Sequence, residues 1–382
     1  MKNIIIIGAG LIGGSIAKAQ LKANPDAIIN AIDSNSQSLE VLQQDGIITS
    51  GFAEICANSL RDADIIIIAT PPQQWAEIAS KIKDLYVNNM INPQLIMDVG
   101  SVKQYALECF GELPNFIATH PIAGSEFSGA AFSTAELFQN KRVILTTSND
   151  ENNQQLIDFA TAFWQNIGAN CTIMEATQHD LIYAYVSHLP QLIAFAMAEA
   201  FLPHLRAQNL PAQTHNFYRL CGSSPTLWHG IFQHNSQLPD AIETLLRLLE
   251  HMIGELQTGS LESSTEGSAP NMEMGLLLTP RIIASIIISS ANLSEKKYGM
   301  SMARYAGSGF ASLTHPAMTD PAEDLALISE HSGDVIFCLK LFEHNLRHLM
   351  NNIKQQNWQF LETQLNSANA AYQQFIMEDE DE

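Results

Sequence analysis

Two stretches of this chain have residue types and spacing that could do chemistry. Residues 8–13 read Gly-Ala-Gly-Leu-Ile-Gly and directly follow the apolar run Ile4–Ile7. His120 follows a later apolar run and opens the loop His-Pro-Ile-Ala-Gly-Ser-Glu. The glycine pattern is typical of a loop that binds a dinucleotide, and a histidine beyond it could take a hydroxyl proton while hydride leaves the same carbon. Together they predict a dehydrogenase.

Each glycine of the first stretch has a predicted task. Gly8 permits a tight turn, Gly10 lets the backbone approach a pyrophosphate, and Gly13 lets the following helix, expected over Ser15 to Lys22, pack on the strand. The helix N-terminus would then face the phosphates with its unpaired N–H groups. The predicted dinucleotide-binding residues of this loop are Gly8, Gly10, Leu11, Ile12 and Gly13.

A carboxylate follows the loop at the distance expected for recognition of a ribose. Asp33 ends the second apolar run and could accept hydrogen bonds from the adenosine ribose hydroxyls. It would repel a 2′-phosphate, and the next residues bring no arginine, so NAD is favoured over NADP. Thr70 and Pro71 follow a later strand and are assigned to the loop that passes the nicotinamide-side ribose.

The residues assigned to the reaction follow two further predicted strands. Ser101 and Lys103 lie in Asp-Val-Gly-Ser-Val-Lys, and His120 follows the next strand along the chain. The carboxyl ends of parallel strands meet at one edge of a sheet, where ligands bind. Ser101 can donate or accept a hydrogen bond, Lys103 adds positive charge, and an imidazole, which titrates at about pH 6.5, suits proton transfer.

The pattern of apolar runs predicts an α/β domain followed by an all-α domain. The predicted strands are Ile4–Ile7, Ile28–Ile32, Ile65–Ala69, Leu95–Val99, Phe116–Thr119, Val143–Thr147 and Cys171–Met174. Continuous apolar runs separated by helical segments indicate a doubly wound parallel sheet of the Rossmann type. We assign residues 1–176 to this NAD-binding domain, 177–376 to a helical substrate and dimerisation domain, and 377–382 to an acidic tail.

The composition restricts the classes of protein. There are 19 Lys+Arg against 40 Asp+Glu, a net charge of -21, without the basic stripe that nucleic-acid binding would need. The five cysteines are scattered, which suggests no disulfide framework or metal site and a reducing cytoplasm. The apolar start runs into the glycine loop, so we reject a signal peptide, and Ile282–Ile288 is too short to span a bilayer. We expect a cytoplasmic enzyme that binds no membrane.

The helical region contains a weak internal similarity. His188-Leu-Pro opens a predicted helix with Leu-Ile-Ala, and Thr279-Pro opens another with Ile-Ile-Ala in the same register. Asn216–Pro225 and Ser312–Pro321 both precede long amphipathic helices. One interpretation is a duplicated helical unit, over 177–257 and 272–376, on either side of the Ser/Gly-rich connection Thr258–Asn271. The other is a chance likeness between amphipathic helices, and both remain open.

Several motifs resemble one enzyme family. His120-Pro-Ile-Ala-Gly-Ser-Glu-Phe-Ser-Gly, with Asp-x-Gly-Ser-Val-Lys before it, is similar to the prephenate and arogenate dehydrogenases. Ser-His188-Leu-Pro and Tyr-Arg219-Leu-Cys-Gly-Ser-Ser-Pro-Thr-Leu-Trp resemble the helical-domain motifs of the same family. The resemblance covers residues 1–256. It implies a dinucleotide-binding domain followed by a helical domain that usually mediates dimerisation.

The resemblance also implies roles for individual residues. His120 would bind the ring hydroxyl of the substrate and take its proton, with Ser101 beside it. His188 would contact the substrate, Arg219 would bind a substrate carboxylate, and Glu126 would lie at the entrance of the site. The implied reaction is the NAD-dependent oxidative decarboxylation of prephenate to 4-hydroxyphenylpyruvate in tyrosine biosynthesis.

The sequence departs from the family in one segment. Relatives place a Gly-rich segment before the arginine, whereas here Gln213-Thr-His-Asn stands there. A Gly-rich version, Ala306-Gly-Ser-Gly-Phe, occurs in the second helical stretch, where His315 takes the place of the arginine. We therefore expect either a homodimer through the helical domain or a single-chain pseudo-dimer, in which the second unit replaces the helical domain of a partner.

Three other functions are alternatives. An arogenate dehydrogenase would carry out the same chemistry on arogenate, whose side chain carries an ammonium where prephenate has a keto group. A β-hydroxyacid dehydrogenase would rely on a lysine in the helical domain, and Thr177 to Leu202 contains none. A non-catalytic NAD-binding regulator would not need His120, His188 and Arg219 together.

Overall fold

The computed structural model describes residues 3–125, 127–147, 154–207, 218–259 and 272–380. The chain divides into two compact units, Met1–Asp180 and Leu181–Glu382. The pattern of apolar runs predicts this boundary between residues 176 and 177. The connection Thr258–Asn271 lies mostly outside the described residues, as do Gln213–Asn216, and the last helix continues into the acidic tail as far as Glu380.

The first unit is built on an eight-stranded sheet with the order β3-β2-β1-β4-β5-β6-β7-β8. The strands are β1 (Asn3–Ile7), β2 (Ile28–Ile32), β3 (Ser50–Phe52), β4 (Ile65–Ile68), β5 (Leu95–Asp98), β6 (Phe116–Pro121), β7 (Arg142–Thr147) and β8 (Asn170–Glu175). The helices are α1 (Leu11–Ala23), α2 (Ser36–Gln44), α3 (Trp75–Val87), α4 (Lys103–Phe110), α5 (Gln154–Asn166) and α6 (Ala176–Tyr183), whose last residues pass into the second unit.

Isoleucine-rich strands form the centre of the sheet. Residues 65–68 of β4 are four isoleucines, all buried, and the four isoleucines of β1 beside it are buried as well. β-branched side chains suit a pleated surface, and burial on both sides explains the continuous apolar runs. The carboxyl ends of β1, β2 and β4 therefore lie side by side, at the edge where the sequence predicts the cofactor.

Two features of the sheet differ from the prediction. β7 runs antiparallel to β6, pairing Ile144 with His120, and the described residues of the connection 122–141 hold only the short 3₁₀ turn Ala130–Phe132 in place of a crossover helix. β3 was not predicted, since its three residues Ser-Gly-Phe carry no apolar run.

Helix α1 starts at Leu11 rather than at the predicted Ser15, which places Leu11, Ile12 and Gly13 in its first turn.

The second unit is helical throughout its described part. Its helices are α7 (Leu189–Ala207), α8 (Pro225–His234), α9 (Leu238–Gly259), α10 (Met272–Tyr298), α11 (Ser308–Thr314), α12 (Pro321–Glu330), α13 (Ser332–Lys354) and α14 (Trp358–Glu380). Contrary to the sequence prediction, Thr279-Pro280 does not open a helix, because Pro280 lies inside α10.

Four elements of the second unit occur twice in the same order, whereas α11 has no counterpart among the described residues of the first half. We call residues 189–259 the first helical half and 272–354 the second helical half. In each half a long helix precedes a short 3₁₀ turn, which begins at Arg219 in the first and at His315 in the second. A ten-residue helix that starts with proline comes next, α8 or α12, and then a helix of 22 or 23 residues, α9 or α13.

The two helical halves also pack on each other reciprocally. Helix α7 of the first half packs against α13 of the second, and α10 of the second packs against α9 of the first. Helices α9 and α13, which hold corresponding places, pack on one another. An exchange of this kind is typical of an interface with twofold symmetry. The halves are not equivalent, since α14 adds a further layer on α7 and α8.

Two segments are long and apolar enough to cross a membrane by length and composition alone. They are Ala176–Leu205 and Met272–Tyr298, and 94% and 67% of their most apolar windows are buried inside the protein. Ile282–Ile288 belongs to the second segment. Burial of this extent is typical of core helices in a folded domain.

The glycine loop allows a direct test of helix packing. A Cβ on Gly13 would lie 1.9 Å from the carbonyl oxygen of Gly8, whereas a Cβ on Gly10 would meet no atom within 4 Å. We expect Gly13→Ala to lower the free energy of unfolding by about 2 kcal/mol or more, because the helix must move away from the strand. Gly10→Ala is the matched control, with a change of about 0.5 kcal/mol. Equal stability of the two variants in urea unfolding would contradict this packing.

Candidate active site

The turn after β1 leaves room for a phosphate group at the start of α1. Gly8 has a φ of +101°, and a Cβ there would lie 2.6 Å from the carbonyl oxygen of Ala69. Gly10 is the N-cap of α1 and brings no side chain to the first N–H groups of the helix. Because no atom lies within 4 Å of a Cβ built on Gly10, this helix end fits the pyrophosphate of a dinucleotide.

The carboxylate of Asp33 is held beside the same turn. Its Oδ2 accepts a hydrogen bond of 2.6 Å from the Ala9 N–H, and its Oδ1 accepts one of 2.8 Å from the Asn35 N–H. Each carboxylate oxygen has a second lone pair. The half-buried Asp33 therefore joins the glycine turn to the end of β2 and keeps acceptor capacity for ribose hydroxyls.

The loop after β4 is fixed by a buried tryptophan. The indole Nε1 of Trp75 donates to the carbonyl oxygen of Thr70 at 3.0 Å, and Trp75 is fully buried. A Cβ on Gly100 would lie 2.3 Å from the Trp75 ring, so only glycine fits beside it. The Thr70 hydroxyl is buried without a hydrogen-bond partner among the described residues, which leaves it for a ligand. Pro71 follows and is half-buried.

A buried ion pair joins β5, β6 and the start of α4. The carboxylate of Asp98 binds the ammonium of Lys103 and accepts from the N–H groups of Gly100 at 2.9 Å and Thr119 at 3.1 Å. Lys103 also donates to the Thr119 carbonyl oxygen at 2.6 Å. Burial raises the pKa of Asp98 and lowers the pKa of Lys103, since both charges leave water.

Lys103 therefore has a different environment from the one the sequence suggested. We expected it to supply positive charge to the substrate, but its side chain is fully buried and bound to Asp98. A lysine close after a strand end looks exposed in the sequence, and only the sheet shows that it points into the protein. In the structure its ammonium links Asp98 of β5 to Thr119 of β6.

His120 is bonded to a second histidine that the sequence analysis did not consider. His120 is 9% exposed at the end of β6, and its Nδ1 lies 2.8 Å from Nε2 of His179. His179 is fully buried, and its Nδ1 lies 2.8 Å from Oδ1 of Asp180. Asp180 in turn accepts from the N–H groups of Lys103 at 2.8 Å and Gln104 at 2.9 Å. All five residues belong to the first unit.

Ser101 lies in the loop between Asp98 and α4 and is half-buried. Its hydroxyl makes no hydrogen bond within the part of the chain that the structure describes. The predicted hydrogen bond to a substrate or to His120 therefore stays a prediction. Glu126, predicted at the entrance of the site, lies outside the described residues.

In the second unit, His188 is fixed as a hydrogen-bond donor. It is fully buried, ends a π-helical turn at Ala184–His188, and meets Trp228 edge to face at 6.1 Å between ring centroids. The Oδ1 of Asn235 accepts from the Gln237 N–H at 2.9 Å, so the amide NH₂ of Asn235 faces Nδ1 of His188, at 2.7 Å. Nδ1 must then accept, which puts the proton of neutral His188 on Nε2.

Arg219 begins the 3₁₀ turn Arg219–Gly222 and is half-buried. Its Nη2 donates to the hydroxyl of Ser312 on α11 at 3.0 Å. A residue of the second helical half thus holds the guanidinium of the first. Nearby, a Cβ on Gly309 of α11 would contact Leu220 at 3.5 Å, so α11 lies close to this turn.

Sequence reasoning missed His179, Asp180, Asp98 and Asn235. The first two form an adjacent His-Asp pair at the start of an otherwise apolar helical stretch, which is a signal that could have been recognised. Nothing local in the sequence connects them to His120, 59 residues away. Among the described residues, no group of three His, Cys, Asp or Glu side chains could hold a metal ion.

Two family models match the chain, one after the other. The first, prephenate dehydrogenase nucleotide-binding domain, matches residues 16–173. The second, prephenate dehydrogenase dimerization domain, matches residues 175–267. Both matches end before α10, so the second helical half lies beyond them.

Named relatives and a solved structure match a similar part of the chain. Cyclohexadienyl dehydrogenase of Zymomonas mobilis is 29% identical over 265 residues, 67% of this chain and 86% of the relative. Prephenate dehydrogenase of Bacillus subtilis is 30% identical over 245 residues, 61% and 64% of the two chains. The crystal structure of prephenate dehydrogenase from A. aeolicus with hydroxyphenyl propionate and NAD+ aligns with a TM-score of 0.60 and 28% identity, covering 68% of this chain and 91% of that one.

The buried ion pair allows a prediction about stability. Lys103→Met would leave the Asp98 carboxylate buried without its cation, and we expect a loss of about 3–5 kcal/mol in the free energy of unfolding. Adding Asp98→Asn removes the unpaired charge, so the double variant should recover part of the loss. Urea unfolding measures both. A double variant no more stable than Lys103→Met would show that the charge of Asp98 is not the cause.

Proposed function

Because this chain belongs to the prephenate dehydrogenase family, we propose that it oxidises prephenate with NAD and releases carbon dioxide, giving 4-hydroxyphenylpyruvate for tyrosine biosynthesis. The chain is an NAD-dependent oxidoreductase. The observation that carries the substrate proposal is His120, held at the carboxyl end of β6 at the same sheet edge as the glycine turn. Support for prephenate comes from relatives in Bacillus subtilis and Lactococcus lactis that bear its name.

The residues of the first unit suit NAD. The start of α1 beside Gly10 would hold the pyrophosphate, Asp33 the adenosine ribose, and the Thr70 hydroxyl a polar group of the nicotinamide side. The first turn of α1, formed by Leu11, Ile12 and Gly13, would contribute to the same pyrophosphate site. When bound, NAD accepts the hydride from the ring carbon that carries the hydroxyl.

His120 would accept the proton of that hydroxyl and later return it. Its Nδ1 is bonded to His179, so Nε2 is the nitrogen that takes the proton while the ring carbon becomes a carbonyl carbon. Loss of carbon dioxide from the opposite ring carbon returns an electron pair to the ring and gives an aromatic phenolate. His120 then returns its proton to the phenolate oxygen. Ser101 would orient the same hydroxyl.

The substrate-binding roles of His188 and Arg219 remain proposals. His188 offers an Nε2–H donor, which suits a carboxylate or keto oxygen. Arg219 has the planar guanidinium that binds a carboxylate through two parallel hydrogen bonds, and Ser312 occupies one of its nitrogens. For Glu126 we keep the prediction that it lies at the entrance. We also place the enzyme in the cytoplasm as a proposal.

We further propose that the second helical half acts as a built-in partner, which makes the chain a pseudo-dimer. The family model named dimerization domain ends at residue 267, and the second helical half follows it. Four of its elements follow the same order as in the first half, and the two halves pack on each other reciprocally. It also supplies Ser312 to Arg219. A homodimer through the helical domain is the alternative.

The substrate proposal is tested by NADH formation with NAD and either prephenate or arogenate. We expect turnover with prephenate, and a fall in kcat of about 10²–10⁴-fold for His120→Asn, because the proton acceptor is lost. NAD binding, measured by calorimetry, should be unchanged in that variant. Turnover with arogenate alone would keep the mechanism and change the substrate. Absence of turnover with both would favour a β-hydroxyacid dehydrogenase or a non-catalytic regulator.

The pseudo-dimer proposal predicts the mass in solution. Light scattering should give the mass of one chain, 42.0 kDa, over a wide range of protein concentration. The surface that would bind a second helical domain is already covered within the chain. An obligate species of twice that mass, with an interface built from helices of both halves, would contradict the proposal.

A further inference from the structure

A line of hydrogen bonds runs from His120 into the interior of the first unit. Nδ1 of His120 faces Nε2 of His179 at 2.8 Å, and Nδ1 of His179 faces Oδ1 of Asp180 at 2.8 Å. His179 and Asp180 are both fully buried. Each histidine nitrogen that makes these hydrogen bonds is either a donor or an acceptor. Which nitrogens donate follows from Asp180, at the end of the line.

Asp180 is an acceptor in this line. Its Oδ1 accepts from the Lys103 N–H at 2.8 Å, and its Oδ2 accepts from the Gln104 N–H at 2.9 Å. These are the first two N–H groups of α4, where the helix dipole favours a negative charge. An ionised carboxylate can only accept, so Nδ1 of His179 must carry a proton and donate it.

His179 is neutral, which fixes its second nitrogen. Burial lowers its pKa well below the ordinary value, and the nearby Lys103 ammonium lowers it further. With the proton on Nδ1, Nε2 has a lone pair that faces Nδ1 of His120. The opposite direction would place a lone pair of His179 against the Asp180 carboxylate at 2.8 Å, which is repulsive.

We propose that His179 and Asp180 are positioning residues that hold His120 as the Nδ1–H tautomer, with Nε2 as the acceptor of the substrate proton. The inference rests on the proposed function in its assignment of His120 as proton acceptor. In the other tautomer Nε2 would carry a hydrogen and could not accept the hydroxyl proton. The pair thus prepares His120 before substrate binds.

The same line would also stabilise His120 after proton transfer. The imidazolium formed on Nε2 keeps its Nδ1–H bond to His179, and that bond then has a charged donor. His179 in turn remains bonded to the carboxylate of Asp180. The arrangement therefore favours both the acceptor form before the transfer and the cation after it.

The test replaces the acceptor that faces His120. In the wild-type protein the ring of His179 meets His120 edge to face. His179→Phe keeps an aromatic ring at this place but removes Nε2. His179→Gln keeps an amide oxygen that can accept the His120 Nδ1–H. We expect kcat to fall about 10²-fold in the phenylalanine variant with KM within about twofold, and to recover at least about tenfold in the glutamine variant.

A spectroscopic measurement reads the tautomer without turnover. In the wild-type protein labelled with ¹⁵N-histidine, the His120 signals, assigned by their loss in His120→Asn, should show a protonated Nδ1 and an unprotonated Nε2. In His179→Phe the proton should move to Nε2. Since no substrate is present, this result stands even if prephenate is not the substrate, so a failure of the proposed function is distinguishable from a failure of the inference.

A control variant separates the positioning of His120 from a general effect of replacing a buried histidine. His229→Phe makes the same exchange at a buried histidine of the second unit and should leave kcat and the His120 spectrum unchanged. A wild-type spectrum with the proton on Nε2 of His120 would overturn the inference. So would full kcat in His179→Phe, or equal losses of kcat in both His179 variants with an unchanged His120 spectrum.

Discussion

The buried carboxylate of Asp98 is the contact on which the rest of the candidate site depends. It binds the ammonium of Lys103 and two backbone N–H groups, one from its own turn and one from β6. Through these bonds β5, β6 and the start of α4 are held at fixed distances. His120 follows Thr119 directly, so the position of its ring is set by the same strand. Breaking such a pair costs more than the pair contributes, because it leaves an uncompensated buried charge.

A second carboxylate, Asp180, organises the same region from the other side. It holds the first turn of α4 and the ring of His179, and through His179 it reaches His120. The two buried carboxylates, Asp98 and Asp180, therefore both bind α4, and each accepts from different donor groups. Asp98 binds the side chain of Lys103, whereas Asp180 binds the backbone N–H groups of α4 and the ring that faces His120.

The sequence predicted most of the first unit because its signals are local. Apolar runs of β-branched residues mark the long strands, and the glycine spacing marks the cofactor turn. The position of β7 was predicted, but its antiparallel direction and the three-residue β3 were not predictable from such signals, since both depend on pairing with distant strands. The burial of Lys103 and the bond from His179 to His120 were missed for the same reason: they join residues that only the folded sheet brings together.

One nucleotide-binding unit accompanies two helical halves in this chain, and the halves carry different residues at corresponding places. In a symmetric dimer every substitution appears twice and must be tolerated in both places. Here Arg219 donates to the hydroxyl of Ser312, and the place in the second half that corresponds to Arg219 holds His315. Each face of the pair can therefore evolve independently. If the second helical half replaces a partner subunit, as proposed, each molecule has one catalytic centre, and its saturation curve should be hyperbolic.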